Sequence, residues 1–262
     1  MLSYPVSQHV SAEVDEFADR FAASGPVKHL VIDNFLDPDY AEALYRDLPD
    51  LDAMPKSRDY MFSDKRELST LDLHSDLTRE LHAVFTSSVF AELCSRLVGR
   101  DVFVDPEYAG GGFHAGGTGS FLDLHVDFNV HPKHQDWLRE LNVLLYLNPD
   151  WDPSWGGELL LTDDPVNPGV AVAPKFNRLV IMESTDESFH GYRKIAFPPG
   201  RSRRSIAAYG YSKIAAGSVK RHSVNWVPED AGPIKRLLAK NWSALVLTKN
   251  RFFGSGTLKN RR

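Results

Sequence analysis

Apolar positions recur along this chain with two different spacings, and the spacing changes near residue 100. Residues 11–24 (SAEVDEFADRFAAS) carry Val14, Phe17, Phe21 and Ala22 three to four apart, which predicts an amphipathic helix. KHLVIDNFL (28–36) reads as a strand. DPDYAEALYRDL (37–48) supplies Asp37 as an N-cap, Pro38 at the first helical position and a second amphipathic helix behind them. Residues 77–99 predict one helix or two, ending near Gly99. Beyond Arg100 the texture is different. From 101 to 215 short runs rich in β-formers alternate with Gly, Pro, Asn and Asp clusters: DVFVD, SFLDLHVDF, ELNVLLYLN, GELLLT, GVAVA, RLVIME, FHGYRKI and RRSIAAYGYS. Many short strands between turn signals predict a β-sandwich or barrel. Residues 228–251 read as helical again. The expected organisation is one domain: a helical lead-in over 1–100, a β core over 101–215 and a helical extension over 216–262.

Side chains alternate across a strand. In LDLHVDF (122–128) alternation puts Asp123, His125 and Asp127 on one face and Leu122, Leu124 and Val126 on the other. The apolar face belongs in a core. The His-x-Asp face offers an imidazole and a carboxylate to a metal, although a buried histidine beside a turn-forming aspartate would fit the same three residues. A third ligand has to come from a distant strand. His190, at the head of FHGYRKI, is the best placed of the ten histidines, and His114, His131 and His134 are its rivals. Two imidazoles and one carboxylate leave open positions on an octahedral ion, as in non-haem Fe(II) oxygenases.

In the last core run, Arg203, Ser205, Ala207 and Tyr209 share a face and Arg204 takes the other. An arginine inside a strand needs a partner, because an unpaired buried charge is very costly. A guanidinium forks onto a carboxylate through two hydrogen bonds, and a nearby hydroxyl adds a third. In LNVLLYLN, Asn142, Leu144 and Tyr146 share a face, so an amide and a phenol can join the same cavity. A plain surface basic cluster at Arg201, Arg203 and Arg204 is the competing account.

With 42% hydrophobic and 25% charged residues, the composition is that of a globular domain. No run reaches the roughly 18 apolar residues that span a bilayer. No signal peptide is visible, and Cys94 is the only cysteine, so a cytoplasmic location is expected. The net charge of −5 is uneven. From Lys213 onward, 11 Lys and Arg face Glu229 and Asp230, a local +9, which leaves −14 on residues 1–212. A basic face paired with the acidic body accounts for this. So does a docking surface for an anionic or carrier-linked small-molecule substrate. Nothing suggests nucleic acid, and the oligomeric state is not legible.

Taken in order, GGGFHAGGTGSFLDLHVDF, RELNVLLYLNPDWDPSWGGELLL, VAPKFNRLVIMES, SFHGYRKI and RRSIAAYGY resemble the iron(II)- and 2-oxoglutarate-dependent oxygenases, in their prolyl-hydroxylase-like branch. The resemblance implies a mainly β fold, the double-stranded β-helix or jelly roll, with flanking helices. It implies Fe(II), 2-oxoglutarate and O2 as cofactors, with ascorbate as a stimulant. His125, Asp127 and His190 map onto its metal ligands. Arg203, Ser205, Tyr146 and, less directly, Asn142 map onto its 2-oxoglutarate site, with Arg201 and Arg204 as neighbouring alternatives. The implied reaction is hydroxylation of an unactivated C–H bond with release of succinate and CO2. Asp127 favours it over halogenation, because related halogenases lack that carboxylate. A small metabolite, natural product or glycan is the expected substrate. The alternatives are a prolyl or protein hydroxylase and a cupin-like metal protein that does not use 2-oxoglutarate.

Overall fold

The computed structural model describes residues 2–54, 61–167, 169–228 and 232–253. The end of the basic extension, 254–262, and Glu229 and Asp230 lie outside the described residues.

Two antiparallel sheets face one another. The larger runs in the order β1 (His29–Ile32), β10 (Arg178–Glu183), β7 (Trp137–Tyr146), β12 (Arg203–Lys213), β5 (Gly112–Gly116) and β3 (Arg66–Leu68), with β4 (Phe103–Val104) also on β12. The smaller runs β13 (Asn225–Val227), β6 (Phe121–Val126), β11 (Phe189–Tyr192), β8 (Leu159–Thr162) and β9 (Val170–Val172), with β2 (Ser63–Asp64) also on β6. This is the expected jelly roll. The eight predicted runs all form strands. Four strands were not foreseen: β2, β3, the glycine-rich β5 and the very short β13.

The lead-in helices are α1 (Gln8–Glu13), α2 (Phe17–Ala22), α3 (Pro38–Asp47), α4 (Asp76–Phe85) and α5 (Ser88–Val98). They cover the outer face of the larger sheet, where Phe35, Phe85, Phe90, Leu141, Leu145, Ile206 and Ala208 join one buried core. Asp37 caps α3 by accepting from the amides of Asp39 and Tyr40, and α5 stops at Gly99, whose φ of 76° suits a residue without a side chain. The single helix expected over 11–24 is instead α1 and α2. The amide of Glu16 closes a tight turn on the carbonyl of Glu13, and the break lets Val10, Phe17 and Phe21 all reach the core. On the other side, α6 (Pro233–Phe253) packs against β13. No helix among the described residues is long and apolar enough to cross a membrane.

Every residue of β12 from Arg203 to Ser212 is buried. One face lies under the helices. The other faces a cavity between the sheets, and that cavity holds the chemistry.

Candidate active site

Alternation along β6 is interrupted. His190 of β11 stands opposite His125, but two residues on, Tyr192 stands opposite Leu122, three residues back. The extra residue is a β-bulge. Gly191 permits it: a Cβ there would lie 2.5 Å from the carbonyl oxygen of Leu122. The face expected to hold Asp123, His125 and Asp127 is therefore corrected. Leu122 lines the cavity with His125 and Asp127, and the Asp123 carboxylate meets the Lys235 ammonium of α6 at 2.6 Å. Gly191→Ala should force these strands apart, lowering stability by about 1–3 kcal/mol in denaturant unfolding. An unchanged midpoint would show that the bulge does not depend on this glycine.

The pairing brings His125, Asp127 and His190 together, with ligand atoms within 4.8 Å of one another. His125 Nε2 is 3.6 Å from Asp127 Oδ1, and His190 Nε2 is 3.4 Å from Asp127 Oδ2. Neighbouring ligands of an octahedral ion stand about 3 Å apart, so these gaps are close to what a divalent cation needs. Each imidazole is oriented from behind. His125 Nδ1 lies 2.9 Å from the Asp123 carbonyl and His190 Nδ1 lies 3.2 Å from that of Ser188. A proton on Nδ1 leaves the Nε2 lone pair facing the cluster. Burial, with His190 alongside, pushes His125 down, which favours the neutral ring a metal requires. Trp226 lies against that ring, centroids 4.6 Å apart. No other group of three or more His, Cys, Asp or Glu in metal-binding geometry occurs among the described residues.

Asp127 is held by residues on β7. Asn142 Nδ2 donates to Asp127 Oδ2 at 2.8 Å and lies 3.4 Å from His190 Nε2. Asn142 thus supports the metal cluster, away from the Arg203 end of the cavity to which the resemblance mapped it. Arg139 is almost fully buried, with Nη1 2.7 Å from Asp127 Oδ2. Its guanidinium is sandwiched between the rings of Phe128 and Tyr209, at 3.8 and 3.7 Å. Burial opposes the charge on Asp127, but Arg139 and the two histidines hold its carboxyl well below the usual range. Arg139 was overlooked in the sequence. The signal was present, since WLRELNVLLY places an arginine inside an apolar strand, the same anomaly that singled out Arg203.

Arg203 enters the opposite end of the cavity. Its Nε donates to the Gly157 carbonyl at 2.7 Å and its Nη2 to the Tyr146 hydroxyl at 3.3 Å, while the guanidinium lies 4.1 Å above the Tyr192 ring. Gly157, at φ 90°, lies so close that a Cβ would be 3.1 Å from Arg203 Cδ. Burial raises the Tyr146 hydroxyl, with Arg203 acting against it, so it stays protonated and can donate while accepting from Arg203. Ser205 stands opposite Tyr146 in the pairing and lines the same cavity. Arg204 faces the helices and meets Asp50 at 2.8 Å. Arg201 meets Asp150 at 3.4 Å, outside the cavity lining.

The rival histidines have other places. His131 is fully buried with Nε2 3.4 Å from Asp105 Oδ2, and His134 stacks on Trp137. His114 lines the cavity beside Lys65 and Glu67 rather than the metal cluster. The whole cavity measures about 670 Å³, and residues 221–226 and α6 close one side.

A family model described as the 2OG-Fe(II) oxygenase superfamily matches residues 111–211. The chain is 30% identical over 197 residues to prolyl 3-hydroxylase OGFOD1 of Xenopus laevis, covering 71% of this chain and 35% of that protein. The mouse protein of the same name is 31% identical over 196 residues, covering 71% and 33%. The chain therefore spans about a third of the length of these curated relatives. Among solved structures, a Pseudomonas putida prolyl-4-hydroxylase superimposes with TM-score 0.54 at 19% identity, over 75% of this chain and 98% of that one. A Trichoplax adhaerens prolyl hydroxylase in complex with a hypoxia-inducible-factor peptide fragment gives 0.51 at 20%, over 78% and 91%.

Proposed function

Since the chain belongs to the 2OG-Fe(II) oxygenase superfamily, we propose that it is a 2-oxoglutarate-dependent hydroxylase with His125, Asp127 and His190 as its iron ligands. The observation that carries this reading is the pairing of His190 with His125, which joins two histidines 65 residues apart at one carboxylate. The donor set fits Fe(II): two imidazoles, an ionised carboxylate and space on the cavity side. When bound, the iron supplies the oxidation of an unactivated C–H bond by O2, coupled to conversion of 2-oxoglutarate to succinate and CO2.

The chain's own residues bind and orient. Arg203 and Tyr146 present an N–H and an O–H to the far carboxylate of 2-oxoglutarate, and Ser205 adds a hydroxyl. Tyr192 covers the guanidinium and excludes water from that ion pair. Asn142 and Arg139 hold Asp127 Oδ2, so Oδ1 would be the oxygen left to bind the metal. His125 cannot rotate while Trp226 lies on one side and the Asp123 carbonyl fixes Nδ1.

The substrate in this reading is a small metabolite. A cavity of about 670 Å³ suits a small-molecule ligand, and one of its walls is the chain's own carboxyl-terminal segment. A prolyl residue of a protein is the second reading, favoured by the names of the relatives. Succinate formation dependent on Fe(II) and 2-oxoglutarate tests the reaction. His125→Ala or Asp127→Ala should reduce it at least 100-fold, since either loses a metal ligand. Wild-type turnover in either variant would refute the site. A gain of one oxygen atom on a metabolite or on a prolyl peptide separates the two substrate readings.

A further inference from the structure

The cavity that holds the metal cluster is also lined by a pair of charged residues outside the His125, Asp127 and His190 set and the Arg203 group. Lys65 Nζ lies 2.9 Å from Glu67 Oε1 and 3.4 Å from His114 Nδ1. All three line the cavity. Register places them: Tyr146, Ser205, His114 and Glu67 form one row across β7, β12, β5 and β3. The row starts at the 2-oxoglutarate end and finishes at Glu67, on the same face as the reacting groups.

The three have definite charge states. Burial opposes the Lys65 charge, but Glu67 more than offsets it and the ammonium is held. Burial likewise opposes Glu67, and the Lys65 ammonium beside it brings it down to about 2. Burial, reinforced by Lys65, brings His114 down to about 3, so it is a neutral acceptor for Lys65. Glu67 and His114 then engage two of the three N–H groups of Lys65. Glu67 leaves 40% of its side-chain surface open and Lys65 17%, and both line the cavity. A pair serving only to hold β3 on β5 has no need to face the substrate space, where its desolvation grows when a ligand enters.

We propose that Lys65 and Glu67 form a clamp for a free α-amino acid, Lys65 binding its carboxylate and Glu67 its ammonium. This rests on the hydroxylase reading above and names its substrate class. In an α-amino acid a single carbon separates the two charges. That short separation matches the 2.9 Å between Lys65 Nζ and Glu67 Oε1, so the four charges alternate in sign when the ligand docks. A prolyl residue within a peptide offers neither charge and would bury the pair unanswered. His114 keeps Lys65 aimed, and the ligand's side chain extends towards His125 and His190.

Binding decides the matter without turnover. The protein is loaded with Zn(II), which is redox-inert, and 2-oxoglutarate. The common free amino and imino acids, with their N-acetyl and C-amide forms, are then screened by saturation-transfer NMR. At least one free amino acid should bind, and blocking either end should weaken it at least 10-fold. Glu67→Gln should weaken the free acid by a similar factor without weakening its N-acetyl form further. Lys65→Met should do the same with respect to the amide. If no free amino acid binds, or blocked forms bind equally well, the clamp is wrong. It is also wrong if Lys65→Met weakens 2-oxoglutarate as strongly, because Lys65 is then a cosubstrate anchor. Should a variant fail to fold, the wild-type comparison of free with blocked acids decides alone. Failure of wild type to bind 2-oxoglutarate in the same samples would sink the hydroxylase reading itself, a distinct result.

Discussion

Arg203→Met should raise the 2-oxoglutarate concentration for half-maximal succinate release by about 30- to 1,000-fold, the equivalent of about 2–4 kcal/mol. The guanidinium is buried, aimed by Gly157 and Tyr146, and covered by Tyr192. Its loss would remove the charge proposed to face the diacid and leave only the neutral hydroxyls of Tyr146 and Ser205 for that carboxylate. Arg201→Met and Arg204→Met are the internal controls, because Arg201 pairs with Asp150 outside the cavity and Arg204 with Asp50 behind the sheet. Both should keep the wild-type 2-oxoglutarate requirement, with Arg204→Met lowering stability instead. A large rise in either control, with Arg203→Met near normal, would move the cosubstrate site elsewhere.

Arg139→Leu should have the largest effect on stability, and the effect should depend on metal. In the metal-free protein the Arg139 guanidinium, 2.7 Å from Asp127 Oδ2, is the leading group that offsets burial of the carboxylate. Removing one partner of a buried ion pair typically costs about 3–5 kcal/mol, because the other charge remains buried. For a domain of this size that is a drop of roughly 6–20 °C in melting temperature. A divalent cation supplies the missing charge. Zn(II) should therefore raise the melting temperature of Arg139→Leu by more than it raises that of wild type. Equal shifts in both proteins, or a metal-free variant as stable as wild type, would show that Arg139 only fills space between Phe128 and Tyr209.

Much of this site was legible before any coordinates. Strand periodicity put Arg203, Ser205, Ala207 and Tyr209 on one face and Arg204 on the other, and β12 has that arrangement. The same holds for Asn142, Leu144 and Tyr146. Both strands pair without irregularity over these residues, so the period of two survives. It fails in β6, where the extra residue swaps Leu122 for Asp123. A bulge depends on what the partner strand allows, here the missing side chain of Gly191, and LDLHVDF carries no trace of it. Lys65 and Glu67 were illegible for a related reason. SDKREL has the polarity of a surface loop, and only pairing of β3 with β5 turns it towards the cavity.

The order and chemical types of the ligands, the helix caps and the alternation of regular strands belong to the chain itself, because each is settled by residues a few positions apart. Which carboxylate meets the histidines, which arginine braces it and which charged pair lines the cavity were decided by strand register. Register arises between segments 40 to 150 residues apart, where the burial of whole faces, and not any local preference, sets the free energy.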